Sequence, residues 1–228
     1  MTVDPPALVP LLAPIEARFR DYEARGMRVF ATSSFQSGSV LLLHVLSRFA
    51  KNVPIYFLNT GFHFPETLAF RRALAASLGL RIVDLRSPVS RIQQRDASGH
   101  LLFTSDPDHC CHLNKVLPLE PVIAAHDVWV AGVRASQSGT RAAMSEEEPG
   151  RNGILRYHPI LRWHPRDVFQ YVEAHGLPAH PLEAQGYLSV GCAPCTRRPD
   201  LDGDLDDRSG RWSGMKKTEC GLHLTDKS

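Results

Sequence analysis

Five cysteines constrain this chain more than any other feature, because they fall as two pairs and a single. The pairs are Cys110-Cys111 and Cys192-Ala193-Pro194-Cys195, and the single is Cys220 in Lys216-Lys217-Thr218-Glu219-Cys220-Gly221-Leu222-His223. Four thiolates complete a metal or cluster site, and a fifth is left to react. The pairs lie far apart in sequence, so only folding brings them together. Adjacent side chains such as those of Cys110 and Cys111 do not easily close on one zinc ion. In a [4Fe-4S] cluster each iron takes its own thiolate, so neighbouring cysteines serve neighbouring irons. On spacing alone, structural zinc and incidental thiols stay open as alternatives.

The 228 residues suit one domain with a tail, and 43% apolar with 22% charged residues is the balance of a soluble globular protein. A formal charge of +2 gives no reason to expect nucleic acid as a partner, although local basic groups remain available to a small anion. The apolar run Ala7-Leu8-Val9-Pro10-Leu11-Leu12 has no preceding Lys or Arg and is cut by proline, unlike a signal peptide. No apolar stretch approaches the roughly eighteen residues of a membrane span. The expectation is a cytoplasmic protein whose reduced thiols serve metal binding or catalysis.

Read in order, the chain alternates. A short helix over 15–25 is followed by strands over 27–32, 54–58, 81–85 and 127–133. Between them lie an all-apolar helix over 40–46, a helix opening at Pro65 and closing at Gly79, and another over 116–125; a further helix spans 165–175. This order predicts an α/β fold with a mostly parallel sheet and helices on both faces. Ligands of such sheets bind beyond the carboxyl ends of the strands. The loops 33–39, 59–61 and 134–141 all fall there. The first follows a strand and opens a helix, an arrangement that aims backbone N–H groups at a phosphate. From 196 to 214 periodicity disappears into acidic residues and glycines. Residues 1–195 therefore read as the nucleotide-binding domain carrying the cysteine pairs, and 196–228 as a flexible tail delivering Cys220.

Several separated segments resemble the assimilatory adenylyl-sulfate (APS) reductases, close relatives of the phosphoadenylyl-sulfate (PAPS) reductases. They are His109-Cys110-Cys111-His112-Leu113-Asn114-Lys115-Val116, Gly191-Cys192-Ala193-Pro194-Cys195-Thr196-Arg197 and Lys217-Thr218-Glu219-Cys220-Gly221-Leu222-His223. Thr60-Gly61 with Phe64-Pro65-Glu66-Thr67, and Gly132-Val133-Arg134 with Gln137-Ser138-Gly139-Thr140-Arg141, match further segments. The resemblance implies an adenine nucleotide alpha hydrolase-like fold, that of the ATP pyrophosphatases. It also implies a [4Fe-4S] cluster on Cys110, Cys111, Cys192 and Cys195, and reduction of APS to sulfite and AMP with thioredoxin as electron donor. Reduction of PAPS, or of both nucleotides, is the alternative on the same scaffold.

The chemistry calls for a soft nucleophile, and the signature assigns it to Cys220, whose thiolate Lys216, Lys217 and His223 would favour and Glu219 oppose. Lys115, Arg134, Arg141, Arg197, Arg208 and Arg211 are candidate anion clamps, Ser33, Ser34 and Ser37 candidate phosphate or adenosine contacts, and His223 belongs to the tail site. His63, His109 and His112 read as ordinary polar residues. Three positions depart from the family pattern: Gln36 replaces glycine, Ala135 a second arginine, and Asn114 a basic residue. The departures predict thinner positive charge and disfavour the 3′-phosphate of PAPS. An ATP pyrophosphatase and an iron–sulfur sensor are the rival readings; the loop 34–39 lacks the acidic residue expected of the first. Monomer and homo-oligomer are both compatible with the sequence.

Overall fold

The computed structural model describes residues 4–36, 38–199, 210–212, 217 and 222. Ser37, Arg208, Cys220, His223 and most of the expected tail lie outside the described residues. Six strands form one sheet: β1 (Val29–Thr32), β2 (Ile55–Leu58), β3 (Ile82–Leu85), β4 (Val128–Ala131), β5 (Glu147–Pro149) and β6 (Leu155–Tyr157). Their order is β3-β2-β1-β4-β6-β5, and every pairing is parallel except β5 with β6. The helices are α1 (Val9–Ala24), α2 (Ser39–Phe49), α3 (Pro65–Leu78), α4 (Leu102–Ser105), α5 (Pro107–Cys111), α6 (Leu117–Ala124), α7 (Gly139–Ala142) and α8 (Pro165–Ala174). The mostly parallel α/β architecture read from the sequence is present, with an adenine nucleotide alpha hydrolase-like fold.

Alternation along the strands sorts the core onto two faces. In β1, Ala31 joins the larger cluster with α1, α2 and α8 residues, whereas Phe30 turns to the other face with Leu119 and Ile123 of α6. In β4, Val128 and Val130 face the first cluster and Trp129 the second. Phe30 and Trp129 stack at 6.0 Å between ring centroids. The all-apolar helix expected over 40–46 is α2, with Val40, Leu41, Leu42, Leu43, Val45 and Leu46 buried.

Three features were not read from the sequence. α1 begins at Val9 and accommodates Pro14 in its interior, so the entry helix is longer than expected. The hairpin β5–β6 extends the sheet beyond β4 with three-residue strands, too short for a periodic pattern. A π-helical turn, His112–Val116, joins α5 to α6. No helix among the described residues is long and apolar enough to cross a membrane.

Candidate active site

The strand order turns at β1 and β4, whose connections run to opposite sides, and a cleft opens at their carboxyl ends as expected for open α/β sheets. β1 runs into Ser33, Ser34, Gln36, Gly38 and Ser39; β4 runs into Gly132 and Val133; and all of these line the cleft with Lys115, Arg141 and Arg211. The far wall is Ser189, Val190, Gly191 and Cys192. Sequence reasoning missed Ser189 and Val190, which carry no motif signal of their own.

The loop after β1 is shaped by Phe35, which is fully buried and adopts a φ of +52°. A bulky residue holds such a conformation only when its surroundings fix it. Here its ring packs edge-on to Phe57 at 5.9 Å, and its N–H donates to Ser33 Oγ at 3.1 Å. Gly38 follows at φ +79° and precedes α2. Any Cβ there would come within 2.9 Å of Arg134 Nη1. Arg134 thus packs its guanidinium against the loop and is not among the cleft-lining residues. Arg197 is exposed and likewise outside the cleft.

Arg141 is 93% buried and faces the cleft from α7. Its Nη1 donates to Gln137 Oε1, which also accepts the Arg134 backbone N–H at 3.1 Å. Gln137 lines the cleft and ties the two arginine positions together. Lys115 comes from the π-helical turn directly after the double cysteine, the kind of local widening often found at functional sites. Asn114 in the same turn is buried and faces away from solvent, its amide donating to Gln94 Oε1 at 2.6 Å and to the Cys110 carbonyl at 2.9 Å. Asn114 is thus committed to this buried amide pair and is not among the residues that line the cleft.

Cys110 and Cys111 end α5; Cys192 precedes and Cys195 ends a single 3-10 turn, Ala193–Cys195. The thiols of these four cysteines share one neighbourhood. Burial pushes the Cys110 thiol up to about 12, and the other three thiols add to the effect. Cys195 is raised by burial and by Cys192 and Cys111, while Lys115 and Arg211 oppose the shift. No group of three His, Cys, Asp or Glu among the described residues gathers closely enough to hold a metal ion. Thr60 Oγ1 lies 3.3 Å from Cys192 Sγ, and Ala193 N–H donates to the Phe62 carbonyl at 2.7 Å, so the segment after β2 braces the second pair.

His63, read from sequence as an ordinary polar residue, lines the cleft, and its Nε2 donates to the Leu58 carbonyl at 2.9 Å. Burial lowers its pKa, with a smaller contribution from Lys115. Lys217 pairs with Asp108, one turn of α5 before Cys111. This pairing draws its ammonium toward the cysteine helix.

The phosphoadenosine phosphosulfate reductase domain matches residues 28–198. An adenosine 5′-phosphosulfate reductase of Streptomyces coelicolor is 43% identical over 88% of this chain and 84% of its own. A phosphoadenosine 5′-phosphosulfate reductase of Gloeobacter violaceus is 38% identical over 87% of this chain and 83% of its own. Among solved structures, a PAPS reductase of Candida auris in a phosphate complex superposes with a TM-score of 0.63 at 22% identity, covering 85% of this chain and 97% of that one. The cleft and the two cysteine pairs fall within or beside the matched span, and the chain belongs to the phosphoadenosine phosphosulfate reductase domain family.

Proposed function

We propose that the protein reduces adenylyl sulfate to sulfite and AMP, with thioredoxin as reductant. The observation that carries this reading is the convergence of Lys115, Arg141 and Arg211 on one cleft, beside the loop after β1 and the wall that ends at Cys192. Three cations suit a ligand bearing both a phosphate and a sulfate. Ser33 and Ser34 line the same cleft and offer hydroxyls to the nucleotide. Arg134 packs its guanidinium against Gly38 of the same cleft and adds a fourth cation beside the anion.

Cys110, Cys111, Cys192 and Cys195 would hold a [4Fe-4S] cluster, which supplies structural and electrostatic support near the substrate. The influence of the four thiols on one another supports one shared site for them. One thiolate per iron spreads the ligands around a larger body.

The chain's own chemistry runs through Cys220 in the tail. Its thiolate attacks the sulfate sulfur, the bond from that sulfur to the bridging oxygen breaks, and AMP leaves with the electron pair. The product is an S-sulfonate on Cys220. A thioredoxin thiolate then attacks the Cys220 sulfur, sulfite leaves, and the second thioredoxin thiol resolves the mixed disulfide. Two electrons pass from the dithiol to sulfur. Within the tail read over 196–228, the part beyond Trp212 that carries Cys220 would close for the first step and expose the S-sulfonate for the second, while 196–199 and 210–212 stay against the Cys195 loop.

The test is the intact mass of anaerobically purified protein after incubation with adenylyl sulfate or its 3′-phosphorylated analogue, without thioredoxin. A sulfonate adduct on Cys220 from adenylyl sulfate alone is expected. An adduct from the 3′-phosphorylated nucleotide alone would reassign the substrate, and no adduct from either would sink the covalent mechanism.

A further inference from the structure

Arg211 occupies an unusual position for a residue expected only to bind substrate. Its Nε donates to the Cys195 carbonyl at 3.3 Å and its Nη1 to the Val190 carbonyl at 3.1 Å, so one guanidinium spans the loop that carries Cys192 and Cys195. The backbone repeats the connection. Trp212 N–H donates to the same Cys195 carbonyl at 3.1 Å, Arg197 N–H donates to Gly210 at 2.9 Å, and Thr196 and Arg211 form an antiparallel bridge. The guanidinium also lies 4.6 Å from the centroid of the Trp212 ring.

Gly191 is what allows this. A Cβ at that position would lie 2.1 Å from Arg211 Nη2 and 2.2 Å from its Cζ, so the guanidinium fills the place where any other side chain would begin. Yet Gly191, Val190 and Arg211 all line the substrate cleft. The same group therefore touches the cysteine loop on one side and the cleft on the other.

We propose that Arg211 staples the Cys192–Cys195 loop while presenting its guanidinium to the anionic part of the substrate, so that ligand binding and the hold on the second cysteine pair are linked. Linkage is reciprocal: if the staple favours the anion, the anion favours the staple. Lysine keeps the charge at position 211 but offers a point cation with no planar fork, and so cannot span both carbonyls in the same way. Gly191→Ala keeps Arg211 itself and displaces its guanidinium. The inference rests on the reading of the four cysteines as cluster ligands.

The experiment follows iron release to a ferrous chelator from anaerobically purified protein, with and without adenylyl sulfate. A Cys220→Ser background keeps the ligand from being consumed. Arg211→Lys and Gly191→Ala are each expected to release iron on the order of tenfold faster than the parent, the scale of one or two lost hydrogen bonds. Adenylyl sulfate should slow release from the parent and not from either variant. Iron release at the parent rate from both variants would overturn the staple, leaving Arg211 as an anion contact alone. Should the parent hold no iron, the cluster reading fails by itself. The staple is then tested by alkylation of Cys195 with iodoacetamide: faster alkylation in Gly191→Ala supports it, and an unchanged rate refutes it.

Discussion

Asn114 and Gln94 exchange two hydrogen bonds in a buried amide pair: Asn114 Nδ2 donates to Gln94 Oε1 at 2.6 Å, and Gln94 Nε2 donates to Asn114 Oδ1 at 3.0 Å. The pair sits against the double cysteine, since Asn114 Nδ2 also lies 3.6 Å from Cys110 Sγ. It joins the turn that carries Lys115 to the segment after β3, and both side chains are almost wholly excluded from solvent.

Asn114→Leu removes one half of that pair and leaves Gln94 Oε1 buried without the Asn114 donor, while Gln94 Nε2 keeps its bond to the Val89 carbonyl at 2.9 Å. The cost should be about 1–3 kcal/mol, the penalty of an unsatisfied buried polar group. In a chain of this size that lowers Tm by roughly 2–10 °C. Thermal unfolding checks it, and an unchanged Tm would mean that water reaches Gln94.

Gln137 holds Arg141, so its loss should weaken nucleotide binding without touching the charge. Arg141→Ala is expected to cost about 1–3 kcal/mol in binding, the range of a charge-assisted hydrogen bond. Gln137→Leu should cost less, and the double variant should be little worse than Arg141→Ala, because the two residues act as one unit. Titration calorimetry with AMP measures all three. Fully additive losses would show that Gln137 contacts the ligand independently.

His44 gives a pH dependence of stability with a definite sign. Burial pushes its pKa down to about 4, His175 and Arg48 add to the shift, and Asp4 opposes it. Its Nδ1 pairs with the Tyr171 hydroxyl at 2.8 Å, and Arg48 reaches both Tyr171 and Asp4. The unfolded chain's imidazole titrates near 6.5. Above that value both states are neutral and the His44 contribution is complete. As pH falls toward about 4 the unfolded state takes up a proton that the folded state refuses, so stability declines. His44→Asn should flatten this slope between roughly pH 6.5 and 4 in urea unfolding. Parallel slopes for variant and parent would remove His44 from the account.

If the proposed mechanism holds, Cys220→Ser should abolish sulfite release and retain the visible absorbance of the proposed cluster, since the nucleophile would not be a ligand. Cys192→Ser should bleach that absorbance. Turnover by Cys220→Ser would end the nucleophile assignment, and an unchanged spectrum for Cys192→Ser would end the ligand assignment.

The strands β1 to β4 and the helices α2, α3, α6 and α8 were legible because each carries its own local pattern: a continuous apolar run, or proline and glycine at the helix ends. The π-helical turn at 112–116 left no such trace. Its sequence, His112-Leu113-Asn114-Lys115-Val116, is that of an ordinary helix, and only the packing of Asn114 against Gln94 and Cys110 distinguishes it. The same holds for the arginines. Arg134 and Arg141 fall in one motif, yet the first lies behind Gly38 and the second faces the cleft.

The sequence alone determined the chemical inventory: five thiols in two pairs and a single, a strand–loop–helix entry suited to phosphate, and cations placed at strand ends. These are local facts, written in residue type and spacing. Tertiary structure decided which groups meet. The pairing of Arg211 with the Val190 and Cys195 carbonyls, the fixing of Arg141 by Gln137, and the entry of His63 into the cleft depend on contacts between segments remote in sequence or on the turn each side chain takes. A side chain's direction is set by what packs behind it, and that is known only once the chain has folded.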